Sequence, residues 1–113
     1  MLFENGERLH IITRRNFEGD LRRHFFGKII ESTGSVARIE GYVFVYDPTK
    51  DEYVKRPEKR IRIFDLADGS HIVNIFPKTT VLSDVCYRVS DEGRLVVTDG
   101  RFSLDINEFG ARK

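Results

Sequence analysis

The residues best suited to chemistry lie in one basic and aromatic stretch near the start of the chain. Guanidinium groups bind phosphate through paired hydrogen bonds, and aromatic rings beside them can stack on bases. A strand surface that carries both residue types is typical of single-stranded nucleic-acid binding. We therefore predict that nucleic acid or another polyanion binds here. The candidate residues are Arg14, Arg15, Arg22, Arg23, Phe25 and Lys28.

The same stretch also has a structural interpretation. Phe25 and Phe26 are neighbours, so in a strand they point to opposite faces, and at least one of them is expected in the core. The arginines can protect a strand edge or pair with Glu18 and Asp20. The residue types alone therefore leave binding and edge protection as alternatives.

A second basic cluster spans residues 55–62. It contains Pro57 among its cations, which is typical of an edge strand protected from aggregation. If the fold brings this cluster beside the first, the two would form one basic stripe. Whether they meet is left open by the sequence.

Acid-base or metal chemistry has one candidate segment, in which Asp65, Asp68 and His71 lie within seven residues. A turn explains the same residues, because Asp68-Gly69 suits a tight turn and Asp65 can cap the loop. His10, His24 and His71 show no zinc spacing with one another or with Cys86.

Cys86 has no base nearby in the sequence that would activate it as a nucleophile. We therefore predict no catalytic residue, no metal and no cofactor. A binding or assembly role is favoured over an enzyme.

The elements that position these residues begin with a long β-hairpin. Its arms are residues 21–31 and 36–46, rich in branched and aromatic residues, with a turn between them. Gly27 and Gly41 are candidates for bulges or bends, or for close backbone approach to a ligand.

The second arm of this hairpin is apolar on both faces beyond Gly41 and should be covered on both. A second hypothesis follows, in which another subunit covers the side chains of Tyr42, Phe44 and Tyr46. The protein would then be a protein-interaction or self-assembly domain, and its partner a second copy or another protein.

Short apolar segments separated by turn signals continue to residue 106, and no amphipathic helix of ordinary length interrupts them. We predict a small all-β domain over residues 1–113, an antiparallel meander of about eight or nine short strands. It is expected to close into a barrel or a partly open barrel, with an OB-like or SH3-like barrel as the competing architecture. Residues 78–84 fit a loop, a helical turn or a strand extension.

Charge and cysteine content restrict the class of protein. The net charge of +1 is too small for a dedicated DNA-coating protein, although residues 1–62 hold 13 basic and 10 acidic side chains, against 6 and 8 in the remainder. The single cysteine cannot form an internal disulfide, and no apolar run has the length of a signal peptide or membrane span. We expect a cytoplasmic protein without a membrane partner.

Overall fold

A computed structural model describes residues 2–15, 17, 19 and 22–106. The predicted all-β class is confirmed. The strands are β1 Arg8–Thr13, β2 Arg23–Thr33, β3 Val36–Asp47, β4 Glu52–Lys55, β5 Arg60–Asp65, β6 His71–Phe76, β7 Cys86–Val89, β8 Leu95–Thr98 and β9 Ser103–Asp105. A short 3₁₀ helix, Leu82–Asp84, lies in the segment that the sequence left open. Within the described ranges no helix is long and apolar enough to cross a membrane.

The strands form two antiparallel sheets instead of one continuous meander. In the first sheet β3 pairs with both β4 and β5 along one edge, and β2, β1 and β6 follow on the other side. The second sheet has the order β7-β8-β9. The ring of Phe64 in β5 lies 5.5 Å from that of His71 in β6, so the ends of the first sheet approach each other. No ladder joins β5 to β6 in the described residues, and no closed barrel is formed there.

The β2-β3 hairpin is the longest pairing of the fold. Its register runs from Arg23 opposite Val45 to Thr33 opposite Val36, and it shifts between Ile29 and Glu31. The bulge therefore lies away from the two glycines, at which the sequence suggested it. Gly27 and Gly41 face each other instead. A Cβ atom on Gly41 would lie 2.0 Å from the Phe26 carbonyl oxygen, so this close approach of the two backbones requires glycine.

Each face of the first sheet packs on its own core. One core is enclosed by the curl of the first sheet, and its buried residues are Leu9, Ile11, Phe25, Ile29, Ala37, Ile39, Val43 and Leu66. The other lies between the two sheets and is built from Phe26, Phe44, Phe76, Val85 and Val97. β3 is thus covered on both faces, as its sequence predicts. Phe44 is only 1% exposed and is covered by the second sheet of its own chain, where the self-assembly hypothesis placed another subunit.

Candidate functional site

Four arginines surround a shallow groove of about 200 Å³ on the face of the first sheet that carries the enclosed core. We call it the arginine groove. It is lined by Arg23, Arg56, Arg60 and Arg62, with Val43 and Val45 beside them. All four arginines are exposed, and within the described ranges no carboxylate forms an ion pair with any of them. Among the residues that the structure describes, the groove therefore presents positive charge that no ion pair neutralises.

Strand register explains why these arginines converge. Arg23 is opposite Val45 in the β2-β3 ladder, and Arg60 is opposite Gly41 in the β3-β5 ladder. Because side chains alternate between faces, both arginines lie on the face of Val43 and Val45. Arg56 follows β4 and donates its backbone N–H to the Val43 carbonyl at 2.8 Å, which brings it to the same place.

The two basic clusters of the sequence do meet, but through only part of each. Arg23 comes from the first cluster, while Arg56, Arg60 and Arg62 come from the second. Lys28 points to the opposite face of β2 from Arg23, and its Nζ lies 3.7 Å from Glu40. The Arg14 guanidinium donates to the Gly69 carbonyl at 3.3 Å. Arg15 is exposed and also lies outside the residues that line the groove.

Phe25 does not provide a stacking surface. It is 3% exposed and belongs to the enclosed core. Its ring packs 5.2 Å from Phe64, and the Arg62 guanidinium lies 5.9 Å from its centroid. Phe26 is also buried, in the other core, so neither of these phenylalanines is available to a base.

Half-buried aromatic side chains line instead a cleft of about 270 Å³ between the two sheets, which we call the tyrosine cleft. Val45 and Tyr46 are consecutive in β3, so the groove and the cleft lie on opposite faces of the same end of the sheet. The Arg22 guanidinium lies 5.0 Å from the centre of the Tyr46 ring. The lining residues are Arg22, Tyr46, Asp51, Glu52, Tyr53, Tyr87, Arg88, Val89 and Leu95.

Behind this cleft is a buried polar cluster, the histidine network, formed by His10, His24, Asn74 and Tyr87. His10 Nε2 lies 2.9 Å from the Tyr87 hydroxyl, which lies 2.5 Å from His24 Nδ1. Asn74 Nδ2 lies 3.2 Å from His10 Nδ1. One proton arrangement satisfies every contact: Asn74 donates to His10 Nδ1, His10 Nε2–H donates to Tyr87, and the Tyr87 hydroxyl donates to His24 Nδ1.

Burial keeps both imidazoles of this network neutral. Desolvation of the charged form, followed by the nearby His24, lowers the pKa of His10 to about 3. Desolvation likewise lowers the pKa of His24 to about 4 and raises that of Tyr87 well above its usual value. At neutral pH the network is therefore an uncharged hydrogen-bond chain. Its geometry indicates a structural link behind the cleft.

The sequence missed this network. A histidine between Leu9 and Ile11 in a strand that is apolar on both faces signals that His10 is buried. Tyr87 gives no such signal, because it is 63 residues from His24 and comes from the other sheet.

The segment with Asp65, Asp68 and His71 has the hydrogen bonds of a turn. Asp65 Oδ1 accepts from Ser35 Oγ at 2.9 Å and from the Ala67 amide at 3.1 Å. Asp68 Oδ1 accepts from the Ser70 amide at 3.0 Å, and hydrogen bonds from Ser70 lower the pKa of Asp68. His71 Nδ1 is buried with no hydrogen-bond partner. Among the residues the structure describes, no three His, Cys, Asp or Glu side chains form a metal-binding group.

Comparison with protein-family models, with curated proteins and with solved structures finds no match to this chain.

Proposed function

We propose that the protein is a non-enzymatic binding domain for an anionic polymer, with single-stranded nucleic acid as the partner class and the arginine groove as the binding surface. The observation that carries this proposal is the convergence of Arg23, Arg56, Arg60 and Arg62 without an ion-paired carboxylate in the described part of the chain. Four like charges around one groove repel one another, and phosphate groups relieve that repulsion while accepting paired guanidinium hydrogen bonds.

Two features favour an extended strand over a folded duplex or a small anion. The groove is shallow and lies along β3, between side chains of β2 and β5, so it suits a backbone that follows the sheet. Val43 and Val45 give its base an apolar character that sugar and base edges can contact. In this proposal Arg14, Arg15 and Lys28 contribute only long-range attraction, and Phe25 supports the groove from the core.

Fluorescence anisotropy with a labelled single-stranded RNA of roughly 12 nucleotides, a length in the range that small β-domains cover, tests the proposal. Affinity should fall steeply as salt is added, because each phosphate contact releases counterions. The double variant Arg60→Gln/Arg62→Gln should reduce the slope of log affinity against log salt by about 1.4, at about 0.7 per lost contact.

Arg38→Gln is the matched control. Arg38 lies on the opposite face of β3 from Val43 and forms an ion pair with Glu31. Binding that is independent of salt, or equally weakened by both variants, would remove the groove as the site. Inorganic polyphosphate is then added as a competitor at equal charge concentration. If it competes as strongly as unlabelled RNA, the partner class is polyanions in general and not nucleic acid in particular.

Self-assembly is a second candidate function, and one observation favours it. β5 pairs only with β3 in the described residues, and its side chains Ile61 and Ile63 are 58% and 65% exposed. A free strand edge with apolar side chains can pair with a second chain. Light scattering that shows a dimer, converted to a monomer by Ile63→Lys, would support this candidate. A monomer at every concentration would remove it.

We also infer that the first sheet is a partly open barrel. The contact between Phe64 and His71, in strands at opposite ends of the sheet order, supports this description. An opening between β5 and β6 would leave the enclosed core reachable from the groove side. Rapid hydrogen exchange of β5 and β6 amides, relative to those of β2, is expected from such an opening.

A further inference from the structure

The tyrosine cleft is unlike the arginine groove, because aromatic rings form its walls and both signs of charge stand at its rim. Tyr53 and Tyr87 are stacked, with centroids 4.7 Å apart and planes 16° apart. Tyr53 also stacks on the buried His24 ring at 4.4 Å. The Tyr46 hydroxyl donates to Asp51 Oδ1 at 2.5 Å. These contacts hold the rings in place before any ligand arrives, which reduces the entropy lost on binding.

Some of the charged residues at the rim already contact other side chains of the cleft, and others do not. The Arg22 guanidinium lies over the Tyr46 ring, and Asp51 accepts a hydrogen bond from the Tyr46 hydroxyl. Arg88 and Glu52 are exposed, and no ion pair involves either of them within the described ranges. One guanidinium and one carboxylate are thus presented to a ligand beside a rigid aromatic wall.

This combination selects a class of ligand. A flat ring is bound by stacking, an anionic group by Arg88, and an N–H donor by Glu52. Carboxylates accept hydrogen bonds from amino groups on base edges, and arginine binds phosphate. An inorganic anion would leave the aromatic wall unused, and a hydrocarbon would leave both charges unpaired.

We propose that the tyrosine cleft binds one nucleotide unit whose base carries an amino group, with the base against the tyrosines, the amino group on Glu52 and the phosphate on Arg88. The unit can be a free mononucleotide or one residue of a nucleic-acid strand. Only the strand form rests on the proposed function of the arginine groove. Binding of a free mononucleotide stands independently of it.

Titration of the full chain with adenosine 5′-monophosphate tests the proposal. Three of the four tyrosines line the cleft and the chain has no tryptophan, so tyrosine fluorescence reports binding there. Amide NMR shifts should concentrate at residues 46–53 and 87–89. Inosine 5′-monophosphate, which has a keto group in place of the amino group, should bind roughly tenfold more weakly, the size expected for one lost charge-assisted hydrogen bond.

Two variants assign the contacts. Glu52→Ala should remove the preference for the adenine over the hypoxanthine nucleotide, and Arg88→Ala should weaken both by roughly tenfold, as for a lost hydrogen bond to a charged group. Arg38→Ala, near the turn end of β3 and outside the residues that line the cleft, should change neither. Ribose 5-phosphate binding as tightly as the nucleotide, or shifts at the arginine groove and not at the cleft, would overturn the proposal.

The groove variant distinguishes a free mononucleotide from a nucleotide within an RNA strand as the ligand of the cleft. Arg60→Gln/Arg62→Gln should keep mononucleotide binding in the cleft while weakening binding of the RNA strand. Mononucleotide binding that persists when RNA does not bind at all would exclude the strand form and leave the cleft as a free-nucleotide site. Loss of mononucleotide binding in the groove variant would contradict the assignment to the cleft.

Discussion

His10 Nε2 lies 3.2 Å from His24 Nδ1, and both side chains are buried, with 0% and 6% exposure. The two histidines come from neighbouring strands of the first sheet, and the Tyr87 hydroxyl reaches both from the second sheet. Through Tyr87 the pair forms a polar link across an otherwise apolar interface. Its stability depends on the two imidazoles remaining uncharged, because a buried ion without a counter-charge is costly.

Acid is therefore expected to destabilise the protein. The folded-state pKa values of about 3 and about 4 lie below the ordinary value of 6.5, so the unfolded chain takes up protons first as the pH falls. The contribution of the two histidines to the free energy of unfolding is present above the unfolded-state pKa of about 6.5. It is lost as the pH falls from that value toward the folded-state pKa values. Between about pH 7.5 and 5 we expect a loss of about 2 kcal/mol for each histidine. Urea unfolding at several pH values measures it.

The variant His24→Gln isolates one histidine of the pair. It removes one titrating group, so the loss of unfolding free energy over the same pH interval should fall to about half, whatever the stability of the variant at neutral pH. A pH dependence equal to that of the unmodified protein would show that other groups cause it.

The Tyr87 hydroxyl can be tested by Tyr87→Phe. Its removal leaves His10 Nε2–H and His24 Nδ1 to bond each other across 3.2 Å, so one hydrogen bond is lost and no buried group is left unpaired. We expect destabilisation of about 1 kcal/mol in urea unfolding at neutral pH. Tyr42→Phe is the matched control, and it should change stability by less than about 0.5 kcal/mol. Equal effects of the two variants would argue against the network.

The close approach of β2 and β3 at Gly27 and Gly41 predicts strong intolerance of a side chain at Gly41. In Gly41→Ala the new Cβ would lie 2.5 Å from the Gly27 Cα and closer still to the Phe26 carbonyl. The ladder must open to accept it, so we expect a loss of about 3 kcal/mol or more by chemical denaturation. Gly69→Ala is the control, because nothing lies within 4 Å of a Cβ there. Similar stability of the two variants would contradict the close approach.

Phe25 distinguishes core support from base stacking. In Phe25→Leu a buried ring is replaced by a smaller apolar side chain, and we expect destabilisation of about 1–2 kcal/mol. RNA affinity and its salt slope should be unchanged at temperatures where the variant is folded, because the ring is covered by Phe64 and Arg62. A large loss of affinity in the folded variant would show that Phe25 contacts the ligand directly.

Local sequence patterns predicted much of the fold. The alternation of apolar and polar residues and the positions of Gly, Pro and Asp predicted the antiparallel strands, because side-chain direction and turn geometry depend on near neighbours in sequence. The long hairpin and its two apolar faces were confirmed. Of the roles suggested for Gly27 and Gly41, the bulge lies elsewhere, between Ile29 and Glu31, and each glycine instead admits the backbone of the other strand. A glycine pattern alone does not reveal which backbone approaches it.

The division of the strands into two sheets could not be predicted from those local patterns. Any short antiparallel strand can pair with its neighbour in sequence, yet β6 pairs with β1 and the chain then starts a second sheet at β7. That choice depends on which faces pack together, and packing is decided between residues distant in sequence. Because the second sheet packs on the first, Phe44 is covered by its own chain.

For the proposed binding surfaces, the sequence by itself determined the supply of residues: two basic clusters, many aromatic rings and few groups suited to catalysis. Only the tertiary structure decided their grouping. It turned Lys28 away from the arginine groove and buried Phe25 in the core beneath it. It also joined Arg23 to Arg60 and Arg62 through strand register, and brought Tyr87 to His10 and His24 across the sheet interface. The physical reason is that residue types follow from the chain, whereas distances between remote residues follow from how the sheets curl and pack.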